Sequence, residues 1–269
     1  MRAVLGIDAA WTNTQPSGVA VASDFGTGWV LRAVAPSYSH FHAIAHGNTL
    51  IARPSGSEPN ASALLASAAA LCGSEPNLVA IDMPLSRQPI TCRRASDNAV
   101  SQAYGSRHCS THTPSSTRPG KISDDLTHGF RDAGYPLLTS ALAKPTGLVE
   151  VYPHPALVEY AQSPLRLKYK AGKGRTYWPS HAPIERRALL VQEWRLIVKV
   201  LNARLPGVEE ALQLPDITAS GVDFKAFEDM LDAVVCVCVA TCILEGEALP
   251  YGDDTSAIWI PHPRQCLPT

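Results

Sequence analysis

The sequence predicts an α/β fold in which a mixed sheet carries helices on its two faces. Two observations predict it. Short apolar runs that stop abruptly, at residues 3–8 (AVLGID), 77–84 (NLVAIDMP) and 147–153 (GLVEVYP), read as buried strands. The elements also follow the order βββ-α-β-insertion-β-α-α-α, which is not a regular βαβ alternation.

After the first run, WTNTQPSG and DFGTG are dense in turn formers and lead into VAVAS and WVLRAVA, so three antiparallel strands joined by tight connections open the chain. Residues 61–72 (ASALLASAAALC) favour helix throughout, with Asn60 placed to cap the start and Gly73 to end it. Residues 85–146 lack apolar periodicity and are rich in Ser, Thr, Arg, His and Pro, which suggests an insertion or lid after the fourth strand. HPALVEYAQ reads as a short helix and LKYKAGKGRTYWPSHAP as a basic loop. Ile184 to Leu205 forms a long helix with Pro183 at its first turn, a second runs from about Asp223 to Glu245, and SAIWIP closes as a strand or hairpin arm.

With 269 residues the chain can bury the core of one elaborated domain, spanning residues 1–269. A net charge of −1 excludes a global basic field for holding long duplexes without regard to sequence. The charge is unevenly placed: ten Lys/Arg face two acids between Arg166 and Arg204, whereas eleven acids face two basic residues from Leu205 onward. That pattern reads either as two solvated faces or as a basic surface beside an acidic pocket. Seven cysteines without framework spacing fit a reducing compartment. The N-terminus lacks the pattern of a signal peptide, and the most apolar stretch, Leu231 to Leu244, is too short at 14 residues to span a bilayer. A cytoplasmic protein without a membrane partner is expected, and the sequence leaves its oligomeric state open.

The chemistry lies in where the carboxylates fall. Asp8, Asp82 and Glu150 each sit on a buried strand, at or near its end. In the last helix KAFEDMLDAVVC sets Asp229 and Asp232 three residues apart, hence on one face, and the apolar segment after Asp232 requires that face to point inward. Like charges gathered this closely cannot all ionise without a counter-ion. Oxygen ligands of this kind select Mg²⁺ or Mn²⁺, and a pair of such ions is the machinery of phosphodiester hydrolysis. Taken singly, each acid has a structural reading: Asp8 as a turn cap, Asp82 as an acceptor for amides before Pro84, Asp229 as an exposed helix residue.

GIDAAW with SGVAVA downstream, then AIDMPLS, VEVYPHPALVEY and EDMLDAVVCV, resemble in order the predicted nucleases of RNase H-like fold grouped as domain of unknown function 429. The resemblance runs from Gly6 to the closing IWIP segment. It implies an RNase H-like core, a five-stranded mixed sheet whose first three strands are antiparallel. It also implies metal-binding acids on the first strand, the fourth strand and a late helix, which here are Asp8, Asp82 and Asp232. Asp229 takes an extra position seen in Holliday-junction resolvases, and Glu150 matches the family's own VEVYP motif.

The expected function is therefore a divalent-metal-dependent nuclease acting on RNA or DNA. Asp8, Asp82, Glu150 and Asp232 are catalytic candidates, and the same four with Asp229 are ligands for two Mg²⁺ or Mn²⁺ ions. Arg93, Arg94, Lys121, Lys168, Lys170 and Arg187 are candidates for gripping phosphates, with Tyr169, Tyr177 and Trp178 available to stack on bases. A zinc site from Cys92, His108, Cys109 and His112 matches no standard finger. Two alternatives compete with the nuclease. One is an ATP-dependent phosphotransferase of the actin and sugar-kinase superfamily, whose Gly-rich phosphate turns are missing from AAWTNTQPSG and AIDMPLS. The other is a non-catalytic nucleic-acid-binding module.

Overall fold

A computed structural model describes residues 1–50, 53–141 and 145–263. The strands are β1 (Arg2–Asp8), β2 (Gly18–Asp24), β3 (Trp29–Ala35), β4 (Leu78–Asp82), β5 (Gly147–Val151), β6 (Ala248–Gly252) and β7 (Ala257–Pro261). The helices are α1 (Tyr38–Ala45), α2 (Ala61–Cys72), α3 (Ala95–Tyr104), α4 (Lys121–Asp132), α5 (Pro153–Tyr160), α6 (Gly174–Tyr177), α7 (Pro183–Asn202), α8 (Val208–Ala211) and α9 (Gly221–Leu244). All the strands join one mixed sheet in the order β3-β2-β1-β4-β5-β7-β6. β2 is antiparallel to β1 and β3, β4 is parallel to β1 and β5, and β7 is parallel to β5.

The sheet has seven strands, not the expected five. The extra pair is the β6–β7 hairpin, whose second strand adds to β5. SAIWIP signals β7, but β6 (ALPYG) carries a proline and only one fully buried residue, too little pattern to be read as a strand. The 85–146 segment, expected as an insertion or lid, contains α3 and α4; residues 142–144 lie outside the described part. α4 buries only Ser123, Leu126, Thr127 and Phe130, so its polar composition hides its periodicity. α2 forms as read: the Asn60 side chain accepts a hydrogen bond from the Ala63 N–H at 2.9 Å, and Gly73 ends the helix at φ 73°.

Alternation along the strands sorts the core into two layers. Val4, Leu78, Ala80 and Val149 pack under α5, α7 and α9. Leu5, Ile7, Val79, Ile81 and Leu148 pack under α1, α2 and α4. α9 lies directly on β1 and β2 because two glycines admit it. A Cβ on Gly6 would run into the Ala233 carbonyl, and one on Gly18 into the Asp229 carbonyl. Asp8 pairs with Gly18 across the ladder, so this close approach delivers the first turns of α9 to the end of β1. Among the described residues no helix is long and apolar enough to cross a membrane, and six cysteines are free.

Candidate metal centre

The parallel register of β1 and β4 sets Asp8 beside Asp82 at the carboxyl ends of the two strands. α9 supplies Asp232 from above, and one carboxylate oxygen from each of the three lies within 4.8 Å of the others. Asp229, one helical turn earlier on α9, lies close enough to Asp8 for its charge to push the Asp8 carboxyl up. Asp8, Asp82 and Asp229 line a cleft of about 1060 Å³, and Asp232 is fully buried behind them. α9 starts cleanly at this point: the Ser220 side chain caps the Asp223 N–H while Asp223 accepts from the Ser220 N–H.

The electrostatics follow from burial first and crowding second. Burial raises the Asp8 carboxyl well above its ordinary range, and Asp229, Asp232 and Asp82 push it the same way. Burial and then Asp232 raise Asp82 to about 8. Asp229 and Asp232 are also raised by burial, partly opposed by Lys225 and Lys170 respectively. Glu228 goes the other way: burial opposes ionisation, but Lys170 and Lys225 outweigh it. Lys170 bonds the Oδ2 of Asp232 and lies 3.5 Å from Glu228, while Lys225 pairs with Asp229 at 2.5 Å and Glu228 at 2.9 Å. The Tyr169 hydroxyl donates to the Oδ1 of Asp232 at 2.8 Å. Five carboxylates thus share two ammonium groups, and among the described residues neither Asp8 nor Asp82 has an ion-pair partner.

Glu150 lines the same cleft but belongs to a different network. The register pairs it with Ile81 rather than Asp82, so the pleat turns it toward the opposite face of the sheet. There the Arg94 guanidinium grips it with two bonds, 2.5 and 2.8 Å, and the Leu85 N–H donates to it at 2.8 Å. Arg94 also holds both oxygens of Asp97 and donates to the Leu85 carbonyl, so that every guanidinium N–H is taken by protein although Arg94, Asp97 and Glu150 line the same cleft as Asp8.

The other phosphate-gripping candidates scatter. Lys170 reaches the cleft, but as a partner of the acids. Arg93 folds back onto Ser101, Asn98 and Thr113. Lys121 pairs with Asp125, Lys168 lies 6.0 Å over Trp178, and Arg187 clamps the Ile217 and Ala219 carbonyls while stacking on Phe224; none of these four lines the cleft. Tyr169 is wholly buried, so it orients Asp232 instead of stacking on a base. Among the described residues, the Asp8, Asp82 and Asp232 trio is the one group placed to hold a metal ion, and the His/Cys segment around Cys109 forms none. Sequence reasoning missed Lys225 and Glu228. The KAFED spacing carried the signal, since a lysine three and four residues before two acids shares their helix face.

The elements from β5 through β6 are also where the chain matches a known family. Residues 132–256 match the model of a family described as protein of unknown function (DUF429). The match is shorter than the nearly complete span of the motifs. The matched segment brings Asp229 and Asp232, with Lys170 and Lys225, whereas Asp8 and Asp82 come from strands that precede it. No curated protein and no solved structure matches the chain.

Proposed function

We propose that this protein is a divalent-metal-dependent hydrolase of phosphodiester bonds in nucleic acid, built on an RNase H-like core. The observation that carries the reading is the carboxylate trio: Asp8 and Asp82 on adjacent parallel strand ends, with Asp232 on the helix packed across them, all within 4.8 Å. The strand order β3-β2-β1-β4-β5 with β2 antiparallel supports the RNase H-like part of the proposal, as does the placement of acids on the first strand, the fourth strand and a late helix.

The donor set suits a hard cation, because every candidate ligand is a carboxylate oxygen and negative charge exceeds the local positive charge. Asp8, Asp82 and Asp232 would hold one Mg²⁺ or Mn²⁺ ion, and Asp8 with Asp229 a second. Bound there, a divalent cation supplies positive charge against the negative charge that develops on phosphoryl oxygens. The protein's own contribution is orientation. Tyr169 and Lys170 each occupy one oxygen of Asp232, fixing its plane while leaving lone pairs on both oxygens. Lys225 holds one oxygen of Asp229, Oδ1.

One observation favours a second reading, a non-catalytic nucleic-acid-binding module in which the acids hold no catalytic metal: Lys170 and Lys225 already place ammonium groups on three of them. Two measurements separate the readings. Calorimetry with Mn²⁺ gives saturable heat in the wild type and none in Asp8→Asn if the trio is a metal site. A panel of single-stranded, duplex, hybrid and branched substrates with Mg²⁺ or Mn²⁺ gives cleavage that Asp8→Asn abolishes. Absence of Mn²⁺ heat in the wild type, or equal cleavage by the variant, overturns the hydrolase.

A further inference from the structure

Two polar side chains on the wall of the same cleft each bury a nitrogen that has no hydrogen-bond partner. His154, the second residue of α5, is only 4% exposed and lines the cleft, yet its Nδ1 has no hydrogen-bond partner. Its ring sits edge-on to Tyr152 and Tyr169, with centroids 5.3 and 5.1 Å away, so packing holds its orientation. Arg166 lines the cleft as well, with its Nε buried and unpartnered. Among the described residues no carboxylate pairs with that guanidinium, although Arg94 and Arg107 nearby in the fold both hold buried acids.

The surroundings are positive. After burial, the groups that act most on His154 are Lys170, Arg166 and His112, and together they keep the imidazole neutral, well below its ordinary pKa. A neutral ring still offers one N–H donor. The first turn of α5 lines the cleft at Pro153 and His154 without a side-chain cap, and because Pro153 and Pro155 carry no N–H, the backbone donor of that turn is the His154 amide. Buried donors without acceptors are rare in folded proteins, and a guanidinium fork matches the geometry of phosphate oxygens.

We propose that Arg166 and His154 form a phosphate subsite of this cleft, the guanidinium pairing with two oxygens of a substrate phosphate and the imidazole donating to another. The subsite rests on the reading of the cleft as that of a phosphodiester hydrolase, and it deepens that reading by naming what holds the substrate. Five carboxylates alone repel a phosphate. Positive charge on a neighbouring stretch of wall lets acids and phosphate occupy one cleft.

The test is binding of inorganic phosphate to the full chain in the absence of divalent metal, followed by calorimetry and by the imidazole signals in NMR. Saturable binding that shifts the His154 ring is expected. Arg166→Gln and His154→Gln each weaken it at least tenfold, Arg166→Lys restores part of the loss, and Asp8→Asn leaves it equal or tighter. Should His154→Gln fail to fold, the two Arg166 variants decide. No phosphate binding by the wild type, or unchanged affinity in Arg166→Gln, overturns the subsite even if the protein cuts nucleic acid. Phosphate binding lost in Arg166→Gln, in a protein that cuts nothing with any metal, supports the subsite and removes the hydrolase.

Discussion

The acids under α9 and the Arg94–Asp97–Glu150 group on the opposite face of the sheet are both buried, and they differ in how completely their charges are answered. Around Arg94, all five guanidinium N–H groups have acceptors: two oxygens of Glu150, two bonds to Asp97 and the Leu85 carbonyl. Burial raises Glu150 to about 7, against the pull of Arg94 and the Leu85 amide. Around Asp8, burial and three neighbouring acids all push in one direction, and no cation pairs with Asp8 or Asp82 among the described residues. A satisfied buried network ties α3 to the sheet, whereas the unsatisfied one keeps the uncompensated charge that the proposed metal site requires. Carboxylates at neighbouring strand ends therefore do opposite jobs, and one residue of register separates them.

That contrast can be broken from either side. The largest effect belongs to the satisfied group: Arg94→Ala strands two buried acids and should cost about 3–5 kcal/mol in urea unfolding. An unchanged midpoint would mean the network carries no structural load. Next comes Gly18→Ala, whose methyl group meets the Asp229 carbonyl. It should cost about 1–3 kcal/mol and weaken Mn²⁺ binding, since α9 must back away from β1. The unsatisfied cluster responds with the opposite sign. Asp8→Asn relieves repulsion and should stabilise the metal-free protein by about 1 kcal/mol while abolishing its thermal shift with Mn²⁺. Destabilisation instead would show that Asp8 is structural.

A gentler lever is pH. Asp82 titrates at about 8 in the fold against an ordinary 3.8, so over that interval the folded state keeps a proton the unfolded chain has lost. Its contribution to the stability of the metal-free protein therefore falls as pH rises through that window and levels off above about 8. The thermal advantage of Asp82→Asn over wild type should grow from about pH 4 to about pH 8, and a constant gap would contradict the raised carboxyl. The smallest effect is Lys121→Gln, away from the cleft, which should leave Mn²⁺ binding and cleavage unchanged.

Much of the architecture was legible because it is written in short-range pattern. The buried strands β1, β4 and β5 are apolar runs, α2 carries its own cap and terminator, and Asp229 and Asp232 share a helix face by spacing alone. Three of the acids expected to gather do so, Asp8, Asp82 and Asp232, with Asp229 beside them. Less legible were α1, β6 and the helices of the 85–146 segment, where polar composition masks the buried stripe.

What the sequence determined by itself was the inventory: which strands are buried, and which carboxylates sit on them. Only the tertiary structure decided the partners. Register moved Glu150 to the far face and gave it to Arg94, Gly6 and Gly18 let α9 descend onto Asp8, and the loop before α6 brought Lys170 and Tyr169 to Asp232. The physical reason is range. Periodicity and capping act over a few residues, whereas the cost of a buried charge depends on whatever distant segment reaches it.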